Sequence, residues 1–193
     1  ISIASKFQIR FFATGGIGGV HLNAENTNDV SADLYALSEN SNFVICSGAK
    51  SILDLSKTNE LLETLGITRI GYQTNYMPGF WYEETENKVD NKFDEIHEIS
   101  SFLKLNENMG NKKSILIFNK VPLEKALNKN DVEKWINNAT IKADRNNISG
   151  KELTPFLIKE INEQSKNETL NANVSLIINN ANLAGKIAKS FYS

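Results

Sequence analysis

Residues 9–19 read IRFFATGGIGG, and residues 43–50 read FVICSGAK. Each is a short run of β-forming apolar residues that ends in a glycine-bearing loop. Residues 67–72 (ITRIGY) and 114–118 (SILIF) repeat the pattern, giving four expected strands at 9–13, 43–46, 67–72 and 114–118. Between them lie stretches of helical period. Residues 29–37 form one, with Ser31 as N-cap; 51–65 form a second, with Ile52, Leu55, Leu62 and Leu65 on one face and Gly66 as stop; 92–105 form a third. After residue 118 the strands cease. Helices are expected at 131–144, from Thr154-Pro155 through 161, and at 170–191, the last with Leu176, Ile177, Leu183, Ile187 and Phe191 as its apolar stripe. Residues 73–90 and 106–113 read as irregular. Strand and helix alternating in this way predict an α/β fold, a mainly parallel sheet with crossover helices and a helical C-terminal half. Ligand sites of such sheets form in the loops past the strand C-termini, which here carry TGGIGG, SGAK, GYQT and NKVP.

The composition narrows the field further. The 193 residues carry 21 basic and 23 acidic side chains, a net charge of −2, which excludes a protein that coats nucleic acid. No apolar run approaches the roughly 18–20 residues that span a bilayer, so no membrane partner is expected. A lone cysteine, Cys46, rules out an intramolecular disulfide framework and points to a reducing, cytoplasmic setting. The chain begins at Ile1, and ISIASKF reads as the end of a helix, so an N-terminal portion is expected to be missing. No internal repeat or composition break divides residues 1–193, which are expected to be the C-terminal portion of a single domain. Asparagine occurs 26 times while arginine stands only at positions 10, 69 and 145, the imprint of an AT-rich genome. Glycosylation-like triplets at Asn138, Asn147, Asn167 and Asn173 follow by chance from that abundance.

Three features could carry chemistry. The glycines of the 14–19 loop allow backbone N–H groups to approach an anion, although neither the Walker nor the dinucleotide spacing is present; a tight structural turn explains them equally well. His21, Glu25, Asp29 and Asp33 recur every four residues, so a shared helix face could bring some of them together. Asp29 and Asp33 would suit a hard divalent cation, or simply a solvated acidic face. Lys50 ends the buried 43–46 run, where partial desolvation frees a neutral amine for Schiff-base chemistry; the alternative is a snorkelling lysine beside a helix N-terminus, which opposes the helix dipole. His97 is expected to be exposed and Cys46 to be packed.

The blocks FFATGGIGGVHLNAENTNDVSADLYALS, SGAKSILDLSKTNELLETLGI, GYQTNYMPGF, NKVPLEKA, ISGKELTPFLIKEI and NANVSLIINNANLAGKIA resemble the pseudouridine-5′-phosphate glycosidases, or indigoidine synthase A-like proteins, over nearly the whole chain. The resemblance implies reversible cleavage of the C–C glycosidic bond of pseudouridine 5′-phosphate to uracil and ribose 5-phosphate. It implies a divalent metal, usually Mn2+, and a homotrimer. It assigns the lysine nucleophile to Lys50, the metal-binding aspartate to Asp29, and the substrate-contacting triplet to Ser31, Ala32 and Asp33. In that triplet Ser31 would meet the phosphate and Asp33 would support the reacting centre. His21 and Asn173 would line the pocket, with Thr14, Gly15 and Gly16 in its wall. The family's His-Arg-Gly becomes His21-Leu22-Asn23, and its Asn-Pro-Ile-Pro becomes Asn119-Lys120-Val121-Pro122. The family's general acid glutamate and a second lysine belong to a stretch before these residues, so the chain alone is expected to be inactive or nearly so. Two rivals follow: an inactive fragment or homologue that acts as a binding or assembly module, and a lyase for another phosphosugar.

Overall fold

The computed structural model describes residues 1–193, Lys151 by its backbone alone. The strands are β1 (Phe11–Ala13), β2 (Phe43–Cys46), β3 (Thr68–Tyr72), β4 (Asn91–Phe93) and β5 (Ile115–Phe118). The helices are α1 (Ser2–Lys6), α2 (Ala24–Thr27), α3 (Ala32–Glu39), α4 (Leu55–Thr64), α5 (Ile96–Asn108), α6 (Lys129–Arg145), α7 (Leu153–Gln164) and α8 (Glu168–Tyr192). One five-stranded sheet has the order β1-β2-β5-β3-β4, and every pairing in it is parallel. The α/β architecture is therefore as the sequence predicts, with no strand after β5 among the described residues. Among the described residues no helix is long and apolar enough to cross a membrane.

β2 and β5 are buried along their whole length, as the unbroken apolar runs FVIC and ILIF require of strands covered on both faces. Their side chains alternate between two cores. Phe43, Ile45, Ile115 and Ile117 meet Ile99 and Leu103 of α5 and Leu183, Ile187 and Phe191 of α8. Val44, Cys46, Leu116 and Phe118 face the other layer, with Leu34 and Leu37 of α3 and Leu62 of α4. An edge-to-face aromatic cluster closes the first core at its N-terminal end, with Phe11 and Phe43 ring centroids 5.2 Å apart and Phe43 and Phe191 5.5 Å apart. Arg69, only 5% exposed, staples the start of β3. Its guanidinium donates to Asp90 Oδ1 at 2.6 Å and Asn59 Oδ1 at 2.8 Å, tying α4 to the segment before β4.

Several boundaries differ from the sequence expectation. Residues 92–105 are not one helix: Asn91–Phe93 form the exposed edge strand β4, too short and polar to show a strand period, and α5 starts at Ile96 behind a Glu95/Glu98 capping box. α5 continues to Asn108, into a stretch expected to be irregular. The expected helix 51–65 begins only at Leu55, because Asp54 is its N-cap and accepts the Lys57 N–H at 2.9 Å. Lys50 therefore lies outside any helix N-terminus, and the unfavourable-dipole reasoning does not apply to it. Ser31 does cap α3, accepting the Asp33 N–H at 3.2 Å.

The C-terminal ends of β1, β2 and β5 are joined by one buried amide. Asn180 of α8 is 0% exposed. Its Nδ2 donates to Thr14 O at 2.9 Å and to Ser47 Oγ at 3.0 Å, and its Oδ1 accepts from Asn119 Nδ2 at 3.0 Å. Buried polar groups persist where they are satisfied, and each of these is. The Cys46 thiol is fully buried, and burial pushes its pKa up to about 12.

Two outcomes follow. Asn180→Leu strips partners from three buried groups at once, costing about 3 kcal/mol, and a thermal melt should fall by about 10 °C; an unchanged melt would remove the amide from this role. Cys46 should resist iodoacetamide in the native protein and react fully in denaturant; rapid native alkylation would contradict its burial.

Candidate active site

The loop after β1 and the loop after β2 run side by side past the sheet. Thr14 N donates to Ile45 O at 3.0 Å, Ser47 N to Gly15 O at 2.9 Å, Ile17 N to Gly48 O at 3.0 Å and Lys50 N to Ile17 O at 3.1 Å. The β1–β2 ladder is thus prolonged through a parallel bridge between Ile17 and Ala49, which sets Lys50 at its end. Lys50 is half-buried, and among the described residues no hydrogen bond or ion pair engages its Nζ.

The glycines of this loop are required by close packing. A Cβ on Gly18 would lie 2.2 Å from Ser31 Oγ, one on Gly19 2.4 Å from Thr58 Oγ1, and one on Gly16 2.7 Å from the Phe80 ring. Gly48, at φ +88°, passes so close to Pro78 that a Cβ would meet its carbonyl oxygen at 2.1 Å. Several amides of the loop are also spent internally: Gly18 N donates to Asp33 Oδ2 at 2.8 Å and Val20 N to Thr58 Oγ1 at 2.9 Å. Close packing against Ser31 and Thr58, with no turn at either position, accounts for Gly18 and Gly19. Thr14, Gly16 and Asp33 share the wall of a cavity of about 240 Å³ with Ile1, Phe12 and Ile17.

The four-residue spacing of His21, Glu25, Asp29 and Asp33 does not correspond to one helix face. α2 is a single turn ended by Asn28 in the left-handed conformation, and extended chain separates it from α3. Two residues of the set meet by another route. His21 N donates to Asp29 O at 3.0 Å, next to an antiparallel bridge between Val20 and Val30, and His21 Nδ1 lies 3.9 Å from Asp29 Oδ2. A second bridge, between His21 and Leu53, fastens this pair beside the Lys50 segment. Glu25 points elsewhere, to Lys57 at 2.9 Å, whose hydrogen bond holds its carboxyl below the usual range. Ser31 and Asp33 serve the α3 cap and the Gly18 amide, while Ala32 is exposed. Among the described residues no three His, Cys, Asp or Glu side chains converge as a closed metal cage. The His21–Asp29 pair offers an imidazole and a half-exposed carboxylate, a donor set suited to an open divalent site completed by water or substrate oxygens.

Asn173, on the second turn of α8, accepts the Trp81 indole N–H at 2.7 Å. Trp81 belongs to the turn at residues 77–82, which covers Gly48 and Gly16, and its backbone N–H also reaches Ser51 Oγ at 3.4 Å. Asn173 and Lys50 thus belong to adjoining parts of one layer. His97 is exposed, as expected. A further cavity, of about 510 Å³, lies behind this layer between Asp54, Tyr82, Glu133 and Ile136, and none of the candidate residues lines it.

Sequence reasoning missed Asn180, Asn119, Ser47, Thr58 and Trp81. Asn180 was visible in principle, as a polar residue at a stripe position between Leu176 and Leu183. Trp81 lies in a stretch without period and gave no such signal.

The indigoidine synthase A like protein family model matches residues 1–190. A pseudouridine-5′-phosphate glycosidase of Petrotoga mobilis is 46% identical over 189 residues, covering 98% of this chain and 62% of that protein. The crystal structure of the prealnumycin C-glycosynthase AlnA with ribulose 5-phosphate superposes with a TM-score of 0.93 at 30% identity, over 98% of this chain and 63% of the other. An indigoidine synthase A-like protein of Thermotoga maritima gives 0.88 at 34% identity, over 97% and 61%. The chain therefore spans a little over three-fifths of the length of these relatives. On the extent of the match and the shared fold, the chain belongs to the indigoidine synthase A-like family.

Proposed function

We propose that the chain carries the nucleophile-bearing part of a pseudouridine-5′-phosphate glycosidase, which interconverts pseudouridine 5′-phosphate plus water with uracil plus ribose 5-phosphate. The observation that supports this most is Lys50: an amine with no partner among the described residues, held by backbone bonds at the end of a parallel ladder. In the synthetic direction, Lys50 Nζ adds to the aldehyde C1′ of open-chain ribose 5-phosphate and water leaves, giving a protonated imine. The imine carbon accepts the electron pair of the new bond from uracil C5, C5 gives up its proton, and the sugar 4′-hydroxyl then displaces Nζ to close the ring and free the lysine. In the cleaving direction Lys50 Nζ displaces the ring oxygen from C1′. The C1′–C5 bond then breaks with its electron pair returning to uracil C5, which takes a proton, as the nitrogen lone pair forms the imine. Water releases ribose 5-phosphate from the lysine.

His21 and Asp33 would hold and move protons near the reacting carbon. Thr14, Gly15, Gly16, Ser31, Ala32 and Asn173 would contact the substrate. Asp29, beside His21, is the carboxylate that would hold Mn2+ or another divalent cation, which when bound supplies positive charge to the substrate's oxygens. A homotrimer is the assembly implied by the family resemblance. A second reading, a binding or assembly module without turnover, is favoured by one observation. α8 leaves Leu170, Val174, Ile177 and Ile178 about half exposed on a single face, an apolar stripe suited to a partner.

Borohydride reduction in the presence of ribose 5-phosphate tests the proposal. A single covalent sugar-phosphate adduct is expected on the peptide containing Lys50, and none in Lys50→Ala. Absence of an adduct even when the part of its relatives that the chain does not span is supplied, or its appearance on other lysines alone, would refute the nucleophile assignment.

A further inference from the structure

Trp81 is 2% exposed, and its backbone is held on both sides: its N–H donates to Gly79 O at 2.9 Å, and its carbonyl accepts from Leu127 N at 2.8 Å. The neighbouring Phe80 ring packs against the indole at a centroid distance of 5.5 Å. The indole therefore has one orientation, with Nε1 directed at Asn173. An indole N–H only donates, so the atom it meets at 2.7 Å has to be the amide oxygen of Asn173. The other end of the amide is then Nδ2, two N–H donors for which the described residues supply no acceptor.

A free asparagine is ambivalent, because a half-turn about its last torsion exchanges donor for acceptor. Here that half-turn would bring two N–H groups together and leave a buried indole N–H unsatisfied, which is costly. We infer that Trp81 is a positioning residue that commits Asn173 to donating, so that whatever the pocket binds at this point offers an acceptor oxygen. The inference rests on the proposal above that Asn173 lines the substrate pocket. Within that proposal, two substrate groups carry suitable oxygens, a pyrimidine carbonyl and the sugar phosphate.

A double-mutant cycle with two probes, uracil and ribose 5-phosphate, separates positioning from mere packing. Asn173→Asp keeps the oxygen that accepts from Trp81 but removes the donor, and should weaken binding of the relevant probe about 10-fold or more. Trp81→Phe keeps an aromatic ring, though a smaller one, and removes the N–H, and should weaken it about 3- to 10-fold by freeing the amide. In the Asn173→Asp background, Trp81→Phe should have no further effect. Coupling seen with uracil identifies a base carbonyl as the acceptor, and coupling seen with ribose 5-phosphate identifies a sugar-phosphate oxygen. Equal loss from Trp81→Phe in both backgrounds would overturn the inference, because packing alone would produce it.

A ligand-free measurement covers the case in which Trp81→Phe fails to fold. By NMR, the Trp81 indole proton should exchange slowly with solvent and faster in Asn173→Ala. Fast exchange in the wild-type protein would also overturn the inference. If neither probe binds the wild-type protein, the assignment of the pocket fails and the ligand half of this inference falls with it. Slow exchange would still leave the Trp81–Asn173 pairing standing.

Discussion

A single buried side-chain amide sets the geometry on which the candidate site depends. The parallel strands β1, β2 and β5 end at the same level, and only a few backbone hydrogen bonds continue between their chains beyond it. Beyond that level each chain must leave the sheet, and nothing in a sheet dictates how. Asn180, projecting from α8, bonds to Thr14 at the end of β1, Ser47 just past β2 and Asn119 just past β5. It carries both donor and acceptor, so one residue can satisfy a carbonyl, a hydroxyl and a second amide. An apolar residue there would fill the space and leave all three unpaired.

With the strand ends fixed, the loops above them are shaped mainly by close approach. The glycines of the 14–19 segment make room for Phe80, Ser31 and Thr58, and the positive φ of Gly48 lets its loop pass under Pro78. Glycine-rich loops past strand ends invite comparison with phosphate cradles, but here the Gly18 amide is met by Asp33 of the same chain. The glycines act chiefly as spacers: they bring backbone bridges close enough to fasten His21, Asp29 and Lys50 in one layer.

How much of this was legible from residues alone depended on the kind of interaction. The two central strands announced themselves, because burial on both faces demands the uninterrupted runs FVIC and ILIF, and the long helices by their period. β4 was hidden because three polar residues on an exposed edge have no period to show, and they ran into a helical pattern. The meeting of His21 with Asp29 was half legible: the residue types were right, but a four-residue spacing was attributed to helix geometry when bridges between extended segments produce the contact. Lys50 was located by its place after a buried strand, yet the dipole reasoning attached to it failed because Asp54 delays the helix by a full turn. The Trp81–Asn173 bond joins residues 92 apart in sequence and has no local signature at all.

The central claim is that the Asn180 network holds Lys50 where a sugar-phosphate aldehyde finds it in preference to every other lysine. The most direct measurement is the distribution of reductively trapped ribose 5-phosphate over all lysine peptides, by mass spectrometry, in the wild-type protein and in Asn180→Leu below its melting point. The account predicts strong selectivity for Lys50 in the wild-type protein and a loss of that selectivity in the variant. Equal labelling of exposed lysines and Lys50 in the wild-type protein, or undiminished selectivity in the variant, would contradict it.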